Sequence, residues 1–101
     1  MVTPVVCPDN MPVYHLYVIR APRRDELQGW LKSQGVFAGV HYPVPAHLQK
    51  AMGGLGHGPG DLPVTERITG EILSLPMYAE LDDTEIRFVT ESIHAFWEAR
   101  H

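Results

Sequence analysis

The sequence predicts an α+β domain, in which a small, mostly antiparallel sheet of about three strands has helices packed on one face. Three observations support this prediction. The run Val13–Arg20 is dense in β-branched and aromatic residues, which favour strands. Residues 23–34 and 82–97 instead place apolar side chains at the spacing of one helical face. These segments follow one another within 101 residues, a length that suits a single compact domain.

The N-terminal segment, residues 1–12, contains three prolines among small apolar residues. Proline interrupts both helices and strand ladders, so this segment is expected to be an extended lead-in or linker. The domain itself is therefore predicted to span residues 13–101.

A helix and a second strand are predicted next. The helix is expected over Arg23–Gln34, and Gly35 occupies the position of a left-handed C-terminal cap. The second strand is expected over Val36–Tyr42, ending before a proline. Within it, Gly39 indicates either a bulge or a close backbone approach. The residues of this helix that share its apolar face are Leu27, Trp30 and Leu31.

The segment 43–62 is rich in glycine and proline, so it is predicted to be a loop with one short helix at Ala46–Met52. Asp61 is placed to cap a helix that runs through Ser74. Leu75–Met77 is then left as a short edge strand around a proline.

The last helix has the clearest pattern in the chain. Asp82, with Glu85 three residues later, is typical of a capping box at a helix start. An apolar stripe follows over the rest of the helix, formed by Ile86, Val89, Ile93, Phe96 and Trp97.

Composition excludes several functional classes. The formal net charge of -4 offers no positive field for nucleic acid. The single cysteine, Cys7, excludes an internal disulfide framework and a thiolate zinc site, and it fits a reducing compartment. No apolar run approaches the roughly 20 residues that cross a bilayer. We therefore expect a cytoplasmic protein without a membrane partner.

The chemistry-bearing motifs are few. Six histidines raise the question of a metal site, but His41, His47 and His57 match no compact ligand spacing, so none is expected. No nucleophile elbow or phosphate-binding loop is present. No residue is assigned a catalytic role.

The most informative segment runs from His41 to His47 and reads His-Tyr-Pro-Val-Pro-Ala-His. Two prolines stiffen the backbone, while two imidazoles and a phenol project from it. This arrangement suits a preorganised contact with a polar ligand. An ordinary strand exit with turn residues would give the same spacing.

Several segments together resemble the C-terminal part of the DegT/DnrJ/StrS family of pyridoxal-phosphate (PLP)-dependent nucleotide-sugar aminotransferases. The match runs in order from about Val13 to Phe96. It includes His-Leu-Tyr-Val at 15–18, Arg-Asp-Glu-Leu at 24–27, the segment 41–47, Leu-Pro-Val-Thr-Glu at 62–66 and Leu-Ser-Leu-Pro-Met at 73–77.

The resemblance implies a small domain like the C-terminal domain of fold-type I PLP aminotransferases. Such a domain packs against a large PLP-binding domain and helps enclose a nucleotide-sugar in a dimeric enzyme. By position, the resemblance implies that His41, Tyr42 and His47 face the substrate cleft or the interdomain contact.

The resemblance also implies that this chain binds no cofactor alone and is inactive alone. PLP transamination needs a lysine, an acidic partner and a phosphate cradle, which belong to the family's large domain. Lys32 and Lys50 do not fall in a segment that resembles the family's lysine motif.

Three hypotheses remain open at this point. A fragment or stand-alone remnant of the aminotransferase would expose apolar surface, with Trp30, Tyr14 and Phe37 as candidates. A non-catalytic module would bind a nucleotide-sugar or a protein without turnover. A small independent enzyme would use His41 and His47 as acid and base, although no carboxylate is placed to orient either.

Overall fold

A computed structural model describes residues 1–100. The regular elements are strand β1 (Tyr17–Arg20), helix α1 (Arg24–Ser33), helix α2 (Pro63–Thr69), strand β2 (Ile72–Leu75) and helix α3 (Asp83–Glu98). Two short 3-10 turns, Ala46–Leu48 and Lys50–Met52, replace the short helix predicted at Ala46–Met52.

The core lies between the sheet and two of the helices. β1 and β2 pair antiparallel, with Ile19 opposite Leu73, and both side chains are fully buried. Alternate residues of a strand point to opposite faces, so this pair defines the core face of the sheet. The helical residues that complete the core are Leu27 and Leu31 of α1 and Ile93 and Phe96 of α3. The predicted α+β class is confirmed.

Within residues 1–100 the sheet has two strands rather than the predicted three or so. Of the predicted strand Val36–Tyr42, only Gly39 pairs with β2, through hydrogen bonds of 3.0 and 2.7 Å with Ser74. Val36 instead donates its N–H to the carbonyl of Leu31 at 2.8 Å, which ties the start of this segment to the end of α1. The segment therefore follows β2 for a single residue.

The strand predicted from Val13 begins only at Tyr17. Tyr14 has a φ of 50°, in the left-handed region that extended strands do not use. Its backbone therefore interrupts the strand that β-propensity favours over residues 13–16.

The helix predicted through Ser74 was too long, and the predicted strand at Leu75–Met77 came too late. α2 ends at Thr69, and Ile72–Leu75 form β2. The Arg24 guanidinium donates to the carbonyl oxygens of Thr69, at 3.2 Å, and Ile72, at 2.9 Å, on either side of this boundary. Pairing with β1 therefore overrides the helical periodicity of this segment.

Helix-end signals gave mixed results. The capping box of α3 is confirmed, because Asp82 accepts from the Glu85 N–H at 2.8 Å and Glu85 accepts from the Asp82 N–H at 3.0 Å. The predicted left-handed Gly35 is also confirmed, with φ 81°. Asp61 does not cap α2, since it accepts from the Gly58 N–H and Leu62 takes the cap position.

The N-terminal segment touches the sheet at one point. Val2 and Arg20 exchange backbone hydrogen bonds of 2.8 and 2.9 Å on the outer edge of β1. Antiparallel register would bring Pro4 opposite Val18, where proline has no N–H to donate. The pairing accordingly stops after one bridge.

Candidate functional site

His41 lies over the face of the sheet that points away from the core. Its Nδ1 is 2.8 Å from the hydroxyl oxygen of Ser74, a buried residue of β2. Because Ser74 follows Leu73, its side chain points to the opposite face. The hydrogen bond anchors one ring nitrogen of His41 and leaves Nε2 available for another partner.

Tyr42 stands beside His41 and faces solvent. The two rings meet edge to face at 5.4 Å between centroids, and Tyr42 is 70% exposed. Together with Pro43, Leu48 and Lys50, Tyr42 lines an open groove. The segment therefore presents a phenol and an ammonium group to the same region of solvent.

Lys50 also lines this groove, although no sequence pattern indicated it. It lies in the second 3-10 turn, eight positions after Tyr42, so no local motif joins the two. The two prolines at 43 and 45 were the only available signal, because they indicated that the chain changes direction there.

His47 is placed differently from His41 and Tyr42. Its side chain is only 6% exposed, and neither ring nitrogen has a hydrogen-bond partner among residues 1–100. Its Nε2 is 3.5 Å from a carboxylate oxygen of Glu66 in α2. Glu66 also accepts from the Gly60 and Leu62 N–H groups, so His47 packs where the long loop joins α2.

The three predicted site residues thus divide into two groups. His41 and Tyr42 are in contact, whereas His47 is buried beside Glu66. The exposed His41, Tyr42 and Lys50 groups are suited to hydrogen bonding and to charge attraction with an anionic ligand.

No carboxylate orients the His41 ring among residues 1–100. The partner of its Nδ1 is a neutral hydroxyl rather than a carboxylate. Among residues 1–100, no three His, Cys, Asp or Glu side chains converge to hold a metal ion.

The predicted apolar surface is only partly correct. Phe37 is 73% exposed and Tyr14 is 38% exposed. Trp30, however, is half-buried against the core, and its indole N–H donates to the Ser92 carbonyl at 2.8 Å. The placement of Trp30 on the exposed surface was wrong, because its hydrogen bond and its packing join α1 to α3.

Comparison with known families identifies the chain. The sequence profile of the DegT/DnrJ/EryC1/StrS aminotransferase family matches residues 2–94. The chain belongs to this family. The suggested resemblance is thereby confirmed at the family level, and sugar transaminases are among the matched relatives.

Two curated members of the DegT/DnrJ/EryC1/StrS family illustrate the extent of the match. A pleiotropic regulatory protein of Geobacillus stearothermophilus is 45% identical over 96% of this chain, which covers 26% of that protein. A dTDP-3-amino-3,4,6-trideoxy-alpha-D-glucose transaminase of Streptomyces venezuelae is 38% identical over 94% of this chain and 25% of its own length. The chain therefore spans about a quarter of these relatives.

Solved structures of the DegT/DnrJ/EryC1/StrS family share the fold. DesV from S. venezuelae superposes with a TM-score of 0.91 and 37% identity over 96% of this chain and 26% of DesV. A family aminotransferase from Brucella abortus gives a TM-score of 0.87 and 32% identity, over 94% of this chain and 26% of that one. Within residues 1–100, no helix has the length and apolar character that crossing a membrane requires.

Proposed function

We propose that this chain is the C-terminal small domain of a PLP-dependent sugar aminotransferase of the DegT/StrS type, and that it helps enclose a nucleotide-sugar without being catalytic alone. The single observation that carries the proposal is the match of almost the whole chain to 25–26% of family aminotransferases. A fragment of this size, with an intact fold, corresponds to a domain rather than to a complete enzyme.

The contribution of the chain to substrate binding rests on His41 and Tyr42. Ser74 orients the His41 ring, and Tyr42 projects beside it with most of its surface in solvent. Nucleotide-sugars carry a diphosphate, which accepts hydrogen bonds from phenol and imidazole N–H groups and attracts Lys50. In this proposal the groove residues cover the diphosphate side of the substrate, while His47 holds the loop against α2.

The residues of this chain do not fit PLP itself. When bound to an aminotransferase, PLP supplies the electron sink for amino-group transfer. It requires a lysine enclosed in the site, whereas Lys32 and Lys50, the two lysines of the sequence, are both exposed.

The proposal therefore assigns the cofactor, the catalytic lysine and the dimer contacts to a large domain. Residues 1–12 would be the extended segment that leads into the small domain, residues 13–101. The proposal also assigns the protein to the cytoplasm.

A graft tests the proposal directly. The matched region of the S. venezuelae transaminase, to which this chain is 38% identical, would be replaced by residues 1–101. We expect the graft, supplied with PLP, to recover the transaminase reaction of its parent to within about tenfold. Tyr42→Phe and His41→Ala are expected to raise KM more than they lower kcat, because they remove binding groups. A folded, PLP-loaded graft without activity would contradict the proposal.

The open groove beside Tyr42 favours a second candidate, a module that binds a nucleotide-sugar by itself. An amide NMR titration of the isolated chain with UDP- and dTDP-linked sugars, and separately with PLP, discriminates between the two. Saturable shifts around 41–50 with the nucleotide-sugars but not with PLP would favour the module. A folded but unresponsive spectrum would favour a domain that needs the large domain to complete the site.

A further inference from the structure

An apolar groove lies beside the N-terminal half of α3, away from the His41–Tyr42 pair. Its volume is about 690 Å³. The residues that shape it, here called the α3 groove, are Phe37, Pro76, Tyr78, Leu81, Phe88 and Val89. Leu81 and Val89 also line a neighbouring groove that contains Met77 and Ile86, so the apolar surface extends around this end of the domain.

The aromatic walls of the α3 groove are unusually exposed. Phe37 is 73% exposed, and Phe88 and Tyr78 are each 48% exposed. Scattered exposed apolar residues are normal, but a contiguous exposed aromatic groove marks an interaction surface. Filling it would remove large apolar areas from water, which is the main favourable contribution to association.

Carboxylates lie near Tyr78, at one wall of the groove, and Glu85 also lines the groove itself. Tyr78 donates its hydroxyl to Glu85 at 3.1 Å, the negative charges of Glu80 and Asp82 act on it, and Asp83 is the first residue of α3. Partial desolvation raises the pKa of Tyr78, and the hydrogen bond to Glu85 and the neighbouring negative charges raise it further. None of these four carboxylates forms an ion pair with a cation among residues 1–100.

We propose that the α3 groove binds an apolar segment of the large domain that carries lysine or arginine at its edge. This inference rests on the proposed function and adds the docking face. The apolar lining of the groove matches the apolar part of the segment, and the carboxylates near Tyr78, which form no ion pair among residues 1–100, would attract its cations. The 37% identical structure is about four times longer, since this chain covers 26% of it, so the family supplies further polypeptide for such a contact.

The groove is linked to the candidate site through β2. Ser74 binds His41, and Pro76, two residues later, forms part of the groove floor. Gly39, bridged to Ser74, is two residues after Phe37 of the groove wall. A segment seated in the groove therefore holds the large domain against the same strand that orients His41.

Amide hydrogen exchange tests the docking face by comparing the isolated chain with the graft described above. Residues 77–81 lie outside regular helices and strands, so their exchange reports on coverage rather than on helix stability. We expect them to exchange at least tenfold more slowly in the graft. Residues 53–57, in the glycine-rich loop, serve as the internal control and are expected to change little. Equal exchange of 77–81 in both proteins would overturn the proposal.

Two surface variants test the chemistry of the contact. Phe37→Ser with Phe88→Ser is expected to abolish the slowing in the graft while the isolated chain keeps its fold, since both side chains are exposed. Glu80→Lys with Asp83→Lys is expected to reduce the slowing of exchange at residues 77–81 in the graft. As a control, Asp9→Lys with Glu98→Lys makes the same change of charge away from the groove. This control is expected to leave the slowing of exchange unchanged. If the Glu80→Lys, Asp83→Lys variant slows exchange as much as this control does, a cationic segment is excluded.

Activity of the graft separates this inference from the proposed function. An active graft whose residues 77–81 exchange freely would overturn the docking face and leave the proposed function standing. An inactive graft with slowed, variant-sensitive exchange would support the docking face and contradict the proposed function.

Discussion

The Nδ1 atom of His41 lies 2.8 Å from the hydroxyl oxygen of Ser74, which is only 5% exposed. This contact ties the conformation of the candidate site to strand β2. The same strand carries Leu73 into the core on its other face. Site geometry and domain stability are therefore coupled through adjacent residues.

Ser74→Ala is expected to lower the free energy of unfolding by about 1 kcal/mol, because it removes a part-buried hydrogen bond. It should also free the His41 ring to rotate. Urea unfolding measures the first effect, and NMR of the imidazole measures the second. Thr90→Ala, which removes an exposed hydroxyl on α3, is the matched control and should not destabilise. An unchanged His41 ring in the Ser74 variant would contradict this account.

Gly39→Ala and Gly29→Ala are expected to act in opposite directions. A Cβ at Gly39 would lie 2.9 Å from Cε1 of His41, so the ring must move away from the Ser74 hydroxyl, and loss of that hydrogen bond costs about 1 kcal/mol. A Cβ at Gly29, inside α1, meets no atom within 4 Å. Alanine there should stabilise by about 0.5–1 kcal/mol, because glycine is a poor helix former. Thermal unfolding of both variants checks the sign of each change.

Trp30→Phe is expected to destabilise more than Trp97→Phe, by about 1 kcal/mol. Both substitutions remove an indole of a half-buried tryptophan. Only Trp30 loses a hydrogen bond, since its N–H donates to Ser92 whereas the buried Trp97 N–H has no partner among residues 1–100. Denaturant titration followed by the remaining tryptophan gives the difference. Equal losses would mean that the bond to Ser92 contributes nothing.

Asp82→Ala should remove the side-chain cap of α3 and lower the free energy of unfolding by about 1 kcal/mol. Asp82→Ser keeps an N-cap acceptor and is expected to recover most of the loss. Asp83→Ala, next to the cap, controls for the loss of a negative charge near the helix N-terminus. Circular dichroism during urea unfolding measures all three. A loss as large for Asp83→Ala would show that charge, rather than the cap, is responsible.

Tyr78 is expected to ionise above the ordinary tyrosine range. Desolvation raises its pKa, with smaller contributions from the hydrogen bond to Glu85 and from nearby negative charges. A raised folded-state pKa stabilises the fold fully below the ordinary tyrosine pKa, and this contribution disappears as the pH rises through the folded value. Ultraviolet absorbance against the Tyr78→Phe variant isolates this titration. Glu85→Gln keeps the capping geometry and should lower the pH midpoint of the Tyr78 titration. An unchanged midpoint would show that the Glu85 carboxylate does not raise the pKa of Tyr78.

Local patterns predicted several elements well. Apolar spacing predicted α1 and α3 within one or two residues, and the Asp82–Glu85 pair predicted the start of α3. These signals arise from contacts between residues three or four apart, which the sequence displays directly. The His41–Tyr42 pairing also follows from adjacency in the chain.

Contacts between distant residues decided the elements whose predicted position was wrong. The 68–72 stretch has helical spacing, yet Ile72 pairs with Arg20 of β1 and becomes part of a strand. His47 looked like a partner of His41, yet Glu66 and the loop around it hold His47 in the interior. Trp30 was a candidate for the exposed apolar surface, yet its indole N–H donates to the carbonyl of Ser92 in α3.

The sequence by itself therefore determined the α+β class, the two long helices and the family resemblance, because these depend on short-range periodicity and on the order of motifs. Only the tertiary structure decided the number of strands, the separation of His47 from His41 and the exposed α3 groove. The strand pairing and the groove depend on contacts across 30 or more residues, and the burial of His47 depends on its contact with Glu66 in α2. In these places burial of apolar surface and satisfaction of backbone hydrogen bonds outweigh local propensity.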